Sequence, residues 1–186
     1  MRVLVAGEFS GIVRDAFAKR GHDAWSCDLL PTERPGNHIQ GDVLGILDGG
    51  WDMMIAHPEC TRLCNSGVRW LHERDLWNEM KEAALFFRVL LNADIPQKAI
   101  ENPIPHKYAL EIIGRKYDQI IQPYQFGHGE TKATCLWLEN LPLLTPTCIV
   151  TGREQRIFKE SPGPDRWKNR SRTFSGIANA MAEQWG

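Results

Sequence analysis

Short runs of apolar residues recur along the chain and predict strands buried in a sheet. The predicted strands are residues 2–6, 22–27, 51–56, 98–100, 119–122 and 135–138. Elsewhere apolar residues recur every three or four positions, which is typical of helices that bury one face. The predicted helices run from a cap at Ser10 to Gly21, and over 70–92, 105–114 and 174–185. Because strands alternate with helices, the pattern predicts a mostly parallel sheet with helices on both faces.

The composition is that of an ordinary globular protein. Of the 186 residues, 42% are hydrophobic and 24% are charged, and the formal net charge is −1. No global positive field attracts nucleic acid, so such binding requires a local patch. No secretory signal precedes the first strand, and no apolar run approaches the roughly 18 residues of a membrane span. We therefore expect a single cytoplasmic domain, residues 1–186, without a membrane partner.

A local basic patch lies in the proline-rich region 139–172, which is predicted to be irregular. Within it, residues 153–172 form a basic loop that contains Arg153, Arg156, Lys159, Arg166, Lys168, Arg170 and Arg172. Phe158 and Trp167 lie among these basic residues. Basic residues mixed with aromatics suit phosphate contact and base stacking, although a solvated loop has the same composition.

Polar residues suited to ligand binding follow the predicted strands at their carboxyl ends, where parallel sheets bind ligands. The turn Phe9-Ser10-Gly11 lets backbone N–H groups approach a polar ligand. Asp28 suits an acceptor for ribose hydroxyls, and Asp42 suits an acceptor for an adenine amine. For each acid the alternative is a surface carboxylate that caps its own loop.

Glu101-Asn102-Pro103 ends another predicted strand. Burial at that place would hold the Glu101 carboxyl protonated, so that it donates a hydrogen bond to a heterocycle nitrogen. The alternative is a polar strand end followed by a proline stop.

The odd number of cysteines, without zinc-knuckle spacing, predicts free thiols: Cys27, Cys60, Cys64, Cys135 and Cys148. Cys60 is the candidate nucleophile, because His57-Pro58-Glu59-Cys60-Thr61 directly follows a buried strand. Its thiolate needs nearby positive charge, which Arg62 or Arg69 would supply. The alternatives are a small buried hydrophobe, or a metal ligand with His57 and Cys64, a set that lacks a fourth ligand. We predict no metal.

Taken in order, these motifs resemble the DNA cytosine-5 methyltransferases. Phe9-Ser10-Gly11 is similar to that family's Phe-x-Gly cofactor loop, and Asp28 and Asp42 to its ribose-binding and adenine-contacting acids. Pro58-Glu59-Cys60 is similar to the Pro-Pro-Cys nucleophile loop, and Glu101-Asn102-Pro103 to the Glu-Asn-Val motif.

The resemblance continues toward the end of the chain. Residues 126–134 align without gaps to the family's Tyr-Gly-x-Pro-Gln-x-Arg-x-Arg stretch, and residues 175–181 are faintly similar to its final cofactor-side motif. The chain also resembles short phage and prophage methyltransferase-like proteins, which would act in the cytoplasm of a bacterial or phage-infected host cell.

The resemblance implies a Rossmann-like S-adenosylmethionine-dependent methyltransferase fold, and methyl transfer to carbon 5 of cytosine in DNA. The implied catalytic residues are Cys60, Glu101 and Lys132. The implied contacts of the cofactor, S-adenosyl-L-methionine, are Phe9, Ser10, Gly11, Asp28, Leu29, Asp42, Val43 and Pro58. The implied substrate contacts are Asn102, Thr134, Arg62 and Arg69. A target base within duplex DNA would have to be flipped out of the stack.

The chain differs from the family at several of these positions. Val13 and Arg14 stand where the family places further glycines, and Glu59 stands for the second proline of the nucleophile loop. Lys132 and Thr134 replace two arginines. The short stretch after residue 138 replaces a large target-recognition domain.

Two alternative functions therefore stay open. The same chemistry on a free pyrimidine nucleotide or single-stranded nucleic acid would explain the missing recognition domain. A non-catalytic relative would bind nucleic acid, cofactor or a host protein, for example as a phage counter-defence factor. Glu59, Lys132 and Thr134 favour the second alternative.

Overall fold

The computed structural model describes residues 1–186, with seven strands and seven α-helices. The strands are β1 (Arg2–Ala6), β2 (Asp23–Asp28), β3 (His38–Gln40), β4 (Met53–Ala56), β5 (Gln97–Pro103), β6 (Gln119–Ile121) and β7 (Thr134–Glu139). The helices are α1 (Ile12–Ala18), α2 (Val68–Glu73), α3 (Trp77–Leu91), α4 (Lys107–Ile113), α5 (Arg156–Lys159), α6 (Arg166–Ser171) and α7 (Ser175–Trp185). None of the helices has the length and apolar character needed to span a membrane.

The seven strands form one sheet in the order β3-β2-β1-β4-β5-β7-β6. The strands from β3 to β5 are parallel, whereas β7 is antiparallel to both of its neighbours. In the register, Ala6 lies beside Ala56, and Ala56 lies beside Ile100. The loops that leave β1, β4 and β5 therefore emerge side by side at one edge of the sheet. The predicted mostly parallel sheet is confirmed.

Alternate residues of the central strands pack into two hydrophobic cores. The first core joins Val3, Val5, Met53 and Ile55 to side chains of α1 and α7. The second joins Leu4, Ala6, Met54 and Ala56 to side chains of α3 and α4. Because successive strand residues point to opposite faces, helices cover both faces of the sheet, as predicted.

The helix predicted over 70–92 is interrupted. Asp75 has a φ of 50°, a left-handed conformation that a continuous helix does not contain. The chain therefore forms two helices, α2 and α3, in place of one. The break was missed because the apolar spacing continues through it.

The prediction that Ser10 caps α1 is also wrong. The residue before the helix is Gly11, which has a φ of 70° and no side chain to offer. The Glu8 carboxylate accepts the N–H groups of Val13 at 2.7 Å and Arg14 at 3.1 Å. Ser10 supports this arrangement by donating its hydroxyl to Glu8 at 3.1 Å and accepting the N–H of Ile12 at 3.3 Å. The buried Glu8 carboxylate thus accepts hydrogen bonds from backbone N–H groups that have no partner within the first turn of α1.

Arg14 in α1 is a buried cation, and its side chain is only 1% exposed. Its guanidinium donates to Asp15 at 2.8 and 2.9 Å, to Ser26 at 3.2 Å and to Thr32 at 3.1 Å. It also donates to the carbonyl oxygens of residues 34 and 35, at 3.2 and 3.1 Å. Arg14 therefore ties the long loop after β2 to α1.

We expect Arg14→Met to destabilise the fold by about 2–4 kcal/mol, because it leaves several buried acceptors without a donor. Urea denaturation measures the change. The matched control is Arg34→Met, since the Arg34 side chain is 51% exposed and its loss should change the free energy of unfolding by less than about 0.5 kcal/mol. Equal destabilisation by Arg14→Met and Arg34→Met would contradict the conclusion that Arg14 holds the loop after β2 against α1.

Candidate active site

A cavity of about 1060 Å³ opens at the carboxyl ends of the parallel strands. Its size lies at the upper end of the roughly 300–1,000 Å³ typical of ligand sites. Most of the residues predicted from the sequence line it: Phe9, Ser10, Asp28, Leu29, Asp42, Val43, Pro58, Cys60, Arg62, Glu101, Asn102 and Lys132. The fold thus brings the residues predicted to contact the cofactor and those predicted to contact the substrate into one cavity.

Three residues of the predicted site do not line the cavity. Gly11 lies against the Arg14 guanidinium, which leaves no room for a side chain there. Thr134 is buried at the start of β7 and donates its hydroxyl to the Lys132 carbonyl at 3.2 Å. The Arg69 guanidinium stacks on the Trp70 ring at 4.2 Å, and that ring does line the cavity.

One end of the cavity is lined by Asp28, the last residue of β2, and by Asp42, which follows β3. One Asp28 oxygen accepts the N–H of Leu30 at 2.9 Å, and one Asp42 oxygen accepts the N–H of Leu44 at 3.0 Å. Each carboxylate therefore shapes its own loop and keeps its second oxygen available for a ligand. Each of these acids can therefore cap its own loop and also bind a ligand.

The loops that leave β1 and β4 meet at Gly7. The N–H of His57 donates to the Ala6 carbonyl at 2.8 Å. Gly7 has a φ of 72°, and a Cβ there would lie 2.5 Å from the His57 carbonyl oxygen. Only glycine permits this approach without displacing the loop that carries Cys60. Gly7 is not among the residues predicted from the sequence.

The Cys60 loop is held by hydrogen bonds on both sides of the thiol. The Asn102 amide donates to the Pro58 carbonyl at 3.2 Å, and the Glu59 carboxylate accepts the N–H of Thr61 at 2.7 Å. The Cys60 carbonyl accepts the N–H of Cys64 at 2.9 Å. These hydrogen bonds fix the backbone on both sides of Cys60, which lines the cavity.

The thiol itself is protonated at neutral pH. Burial, followed by the nearby Cys64, Glu101 and Glu59, raises the pKa of Cys60 to about 12, and Lys132 opposes the rise. The positive charge expected from Arg62 or Arg69 is not among these influences, so Lys132 takes that place. A reaction at this thiol needs a group that removes its proton.

Glu101 forms a hydrogen bond with His57 across the ends of β5 and β4. The His57 Nδ1 and the Glu101 Oε2 are 3.0 Å apart, and the two side chains are 11% and 14% exposed. Burial acts to raise the pKa of Glu101, but the His57 hydrogen bond, the Lys132 charge and the Thr134 hydroxyl together hold it below its usual value. The expectation of a protonated Glu101 is therefore wrong in this structure, where the carboxyl is ionised.

Lys132 links the candidate catalytic groups to the other wall of the cavity. Its charge lowers the pKa of both Cys60 and Glu101. Its Nζ donates to the carbonyl oxygen of Arg170 at 3.2 Å. Lys132 thus lies where negative charge would develop during a reaction at Cys60.

The basic stretch, residues 153–172, folds over the cavity, and we call it the cap. It contains α5 and α6, so the expectation of an irregular loop is wrong for this part. The cavity residues that it contributes are Ile157, Phe158, Trp167, Arg170, Ser171 and Arg172. The Trp167 ring lies 5.9 Å from the Phe9 ring, centroid to centroid. The cap therefore contacts the turn that was predicted to bind the cofactor.

Several basic residues of the cap are engaged within the chain. Arg172 forms two hydrogen bonds with Glu33, at 2.6 and 2.8 Å, and these hold the pKa of Glu33 below its usual value. Arg156 contacts Glu130 at 3.1 Å. Arg166 donates to the Glu160 carbonyl at 2.8 Å. Fewer charges remain for phosphate contact than the sequence indicates.

The structure contains no group of three or more His, Cys, Asp or Glu side chains placed to hold a metal ion. No protein-family model matches the chain, and no curated protein matches it.

Solved structures of other proteins have the same fold. One is an E. coli protein assigned as a DNA modification methyltransferase encoded within a prophage, with 15% identity and a TM-score of 0.51, covering 81% of this chain and 52% of that chain. Another is the Entamoeba histolytica methyltransferase EhMeth, with 13% identity and a TM-score of 0.51, covering 88% of this chain and 60% of that chain. The fold is therefore the Rossmann-like methyltransferase fold. The chain spans between half and three fifths of the length of these two structures.

The lowered pKa of Glu101 predicts how the free energy of unfolding changes with pH. A carboxyl with a lowered native pKa stabilises the fold above its unfolded pKa of about 4.3, and the contribution is lost as the pH falls through the native value. We expect Glu101→Gln to reduce the free energy of unfolding more at about pH 7 than below about pH 4. Urea denaturation at several pH values measures this. A difference that grows as the pH falls would show that Glu101 is protonated in the native protein.

Proposed function

We propose that this protein transfers a methyl group from S-adenosyl-L-methionine to carbon 5 of a cytosine in DNA through a covalent adduct at Cys60. The observation that carries the proposal is the position of the thiol. Cys60 lies in the loop after β4 and lines the same cavity as the acids at the ends of β2 and β3. Glu101 and Lys132 also line this cavity, and both influence the pKa of Cys60. On this proposal residues 1–186 form one methyltransferase-like domain.

The residues at the Asp28 end of the cavity fit the cofactor. Each of Asp28 and Asp42 has one carboxylate oxygen without a partner in the chain, which suits ribose hydroxyls and an adenine amine. Leu29 and Val43 follow these acids, and Phe9 and Pro58 supply apolar surface toward Cys60. When bound, the cofactor supplies an electrophilic methyl group. Ser10 and Gly11 support the turn behind Phe9.

At the other end, the chain's own groups would activate the base. The Cys60 thiol loses its proton to a base as its sulfur bonds to carbon 6 of the ring, and the Lys132 ammonium stabilises the negative charge that this addition develops. The ionised Glu101 accepts a hydrogen bond from the exocyclic amine, a role that replaces the donation to ring nitrogen 3 expected from the sequence. After methylation, carbon 5 loses its proton to solvent and the carbon–sulfur bond breaks.

Other polar residues are proposed to hold the substrate. The Asn102 side chain is 1% exposed, and its Oδ1 has no hydrogen-bond partner in the chain. Arg62 lines the cavity, and Arg69 flanks the Trp70 ring. Thr134 acts indirectly by donating to the Lys132 carbonyl and lowering the pKa of Glu101.

A second candidate is the same reaction on a pyrimidine nucleotide or a single strand. The observation that favours it is the cap, which covers the cavity and uses Arg156, Arg166 and Arg172 in contacts within the chain. A non-catalytic binding protein is the third candidate, and the raised pKa of Cys60 favours it.

Cofactor binding tests the first half of the proposal. We expect S-adenosylhomocysteine to bind in isothermal titration calorimetry, and Asp28→Ala to weaken the binding by roughly 1–3 kcal/mol, because a ribose hydroxyl loses its acceptor. Asp48→Ala, at an exposed position outside the cavity, is the matched control and should bind as the unmodified protein does. Absence of binding heat with either the cofactor or its product would remove the enzymatic proposal.

The covalent step is tested by trapping. We expect an oligonucleotide containing 5-fluorocytosine to form an adduct at Cys60 in the presence of cofactor, because the fluorine cannot leave as a proton does. Cys60→Ser should abolish the adduct and methyl transfer while it leaves cofactor binding within about twofold, since the thiol acts on the base. Mass spectrometry of the digested protein locates the adduct.

Cys64→Ser is the control for this trapping experiment. Cys64 lies four residues further on, half-buried and in the same cavity, and should not be required. An adduct at Cys64, or full activity of Cys60→Ser, would contradict the mechanism. Comparison of single-stranded, duplex and free nucleotide substrates separates the first two candidates.

A further inference from the structure

The imidazole ring of His57 has one nitrogen bound and one unpartnered. Nδ1 lies 3.0 Å from the Glu101 carboxylate, whereas Nε2 is buried and has no hydrogen-bond partner. Buried polar atoms without partners are rare in folded proteins. The unpartnered Nε2 therefore points to a group that His57 engages only during function.

The hydrogen bond with Glu101 determines which nitrogen carries the proton. An ionised carboxylate can only accept hydrogen bonds, so Nδ1 must be the protonated nitrogen. In the neutral ring, Nε2 then carries a lone pair and is a proton acceptor.

The fold places this acceptor three residues before the candidate nucleophile, although the two groups are not hydrogen-bonded to each other in this structure. His57 and Cys60 lie in the same short loop and line the same cavity. The loop is anchored at His57 by its N–H bond to Ala6 and at Pro58 by the Asn102 amide. A nucleophile, a nearby base and a carboxylate that orients the base are the recurring parts of cysteine and serine catalysis.

Cys60 requires such a base. Burial, with smaller contributions from Cys64, Glu101 and Glu59 and against Lys132, raises the pKa of the thiol to about 12. Almost no thiolate exists at neutral pH under these conditions. Thiolate formation at this site therefore has to be coupled to a proton acceptor.

We propose that His57 Nε2 accepts the thiol proton of Cys60, and that Glu101 is the positioning residue that holds the His57 ring for this transfer. The inference rests on the proposed function, because it describes how the proposed nucleophile becomes reactive. As the sulfur–carbon 6 bond forms, the S–H bond breaks and its proton moves to Nε2. When the carbon–sulfur bond later breaks, the thiolate takes that proton back, and the ring is again neutral.

The proposal makes Cys60 reactivity depend on His57 in a reaction that needs neither cofactor nor nucleic acid. The probe is iodoacetamide, and mass spectrometry reports the alkylation rate of each cysteine separately. Cys148 is exposed and serves as the internal reference. We expect His57→Gln to slow alkylation of Cys60 roughly 10- to 100-fold at neutral pH and to leave Cys148 unchanged. Raising the pH should reduce the difference, because hydroxide replaces the base.

Glu101→Leu separates positioning from simple electrostatics. The Glu101 charge raises the pKa of Cys60, so its removal alone would speed alkylation. If Glu101 positions the base, its removal slows alkylation instead. His22→Gln, which changes a histidine outside the cavity, is the matched control, and thermal melting of each variant establishes that it is folded. His57→Asn serves as the second variant if His57→Gln does not fold.

Unchanged Cys60 alkylation in folded His57→Gln or His57→Asn would overturn the inference, and so would faster alkylation in Glu101→Leu. The failure of the proposed function is a separate result. In that case His57-dependent alkylation of Cys60 persists, but no methyl transfer and no 5-fluorocytosine adduct are found.

Discussion

The hydrogen bond between His57 and Glu101 is the interaction on which the proposed chemistry of the cavity depends. It joins the ends of β4 and β5, which the parallel register places side by side. It keeps the Glu101 carboxyl ionised in a buried position where burial alone would protonate it. The same bond leaves the second nitrogen of His57 with no partner. This contact thus acts together with Lys132 to lower the pKa of Glu101.

The cap forms one wall of the cavity that contains these groups. It is attached at one side through Arg172 and Glu33, and at the other through Lys132 and the carbonyl of Arg170. Both attachments lie beside the cavity: Glu33 belongs to the loop after β2, and Lys132 is itself a proposed catalytic residue. Movement of the cap away from the cavity would break the hydrogen bond that Lys132 donates to the Arg170 carbonyl.

Much of the fold could be predicted from the sequence, because buried strands and amphipathic helices leave a periodic pattern. The grouping of Asp28, Asp42 and Cys60 around one cavity at the strand ends followed from the general rule for parallel sheets. The break at Asp75 could not be predicted in this way. It depends on the backbone conformation of a single residue, while the helical spacing of apolar residues continues through it.

The electrostatics of the site could not be predicted in the same way. Whether Glu101 is protonated depends on His57, which is 44 residues away along the chain. The contact of Trp167 with Phe9 and the pairing of Arg172 with Glu33 join still more distant segments. No local pattern encodes such contacts, so a basic, aromatic stretch was interpreted as an irregular loop when it forms the cap of the cavity.

The most direct test of the central claim is a crystal structure of the protein with S-adenosylhomocysteine and a cytosine-containing nucleotide. We expect the ribose at Asp28, the adenine near Asp42, and the cytosine between the thioether sulfur and Cys60, with its amine on Glu101. Binding of the cofactor product outside this cavity, or a base held away from Cys60, would contradict the proposal that the cavity is a methyl-transfer site.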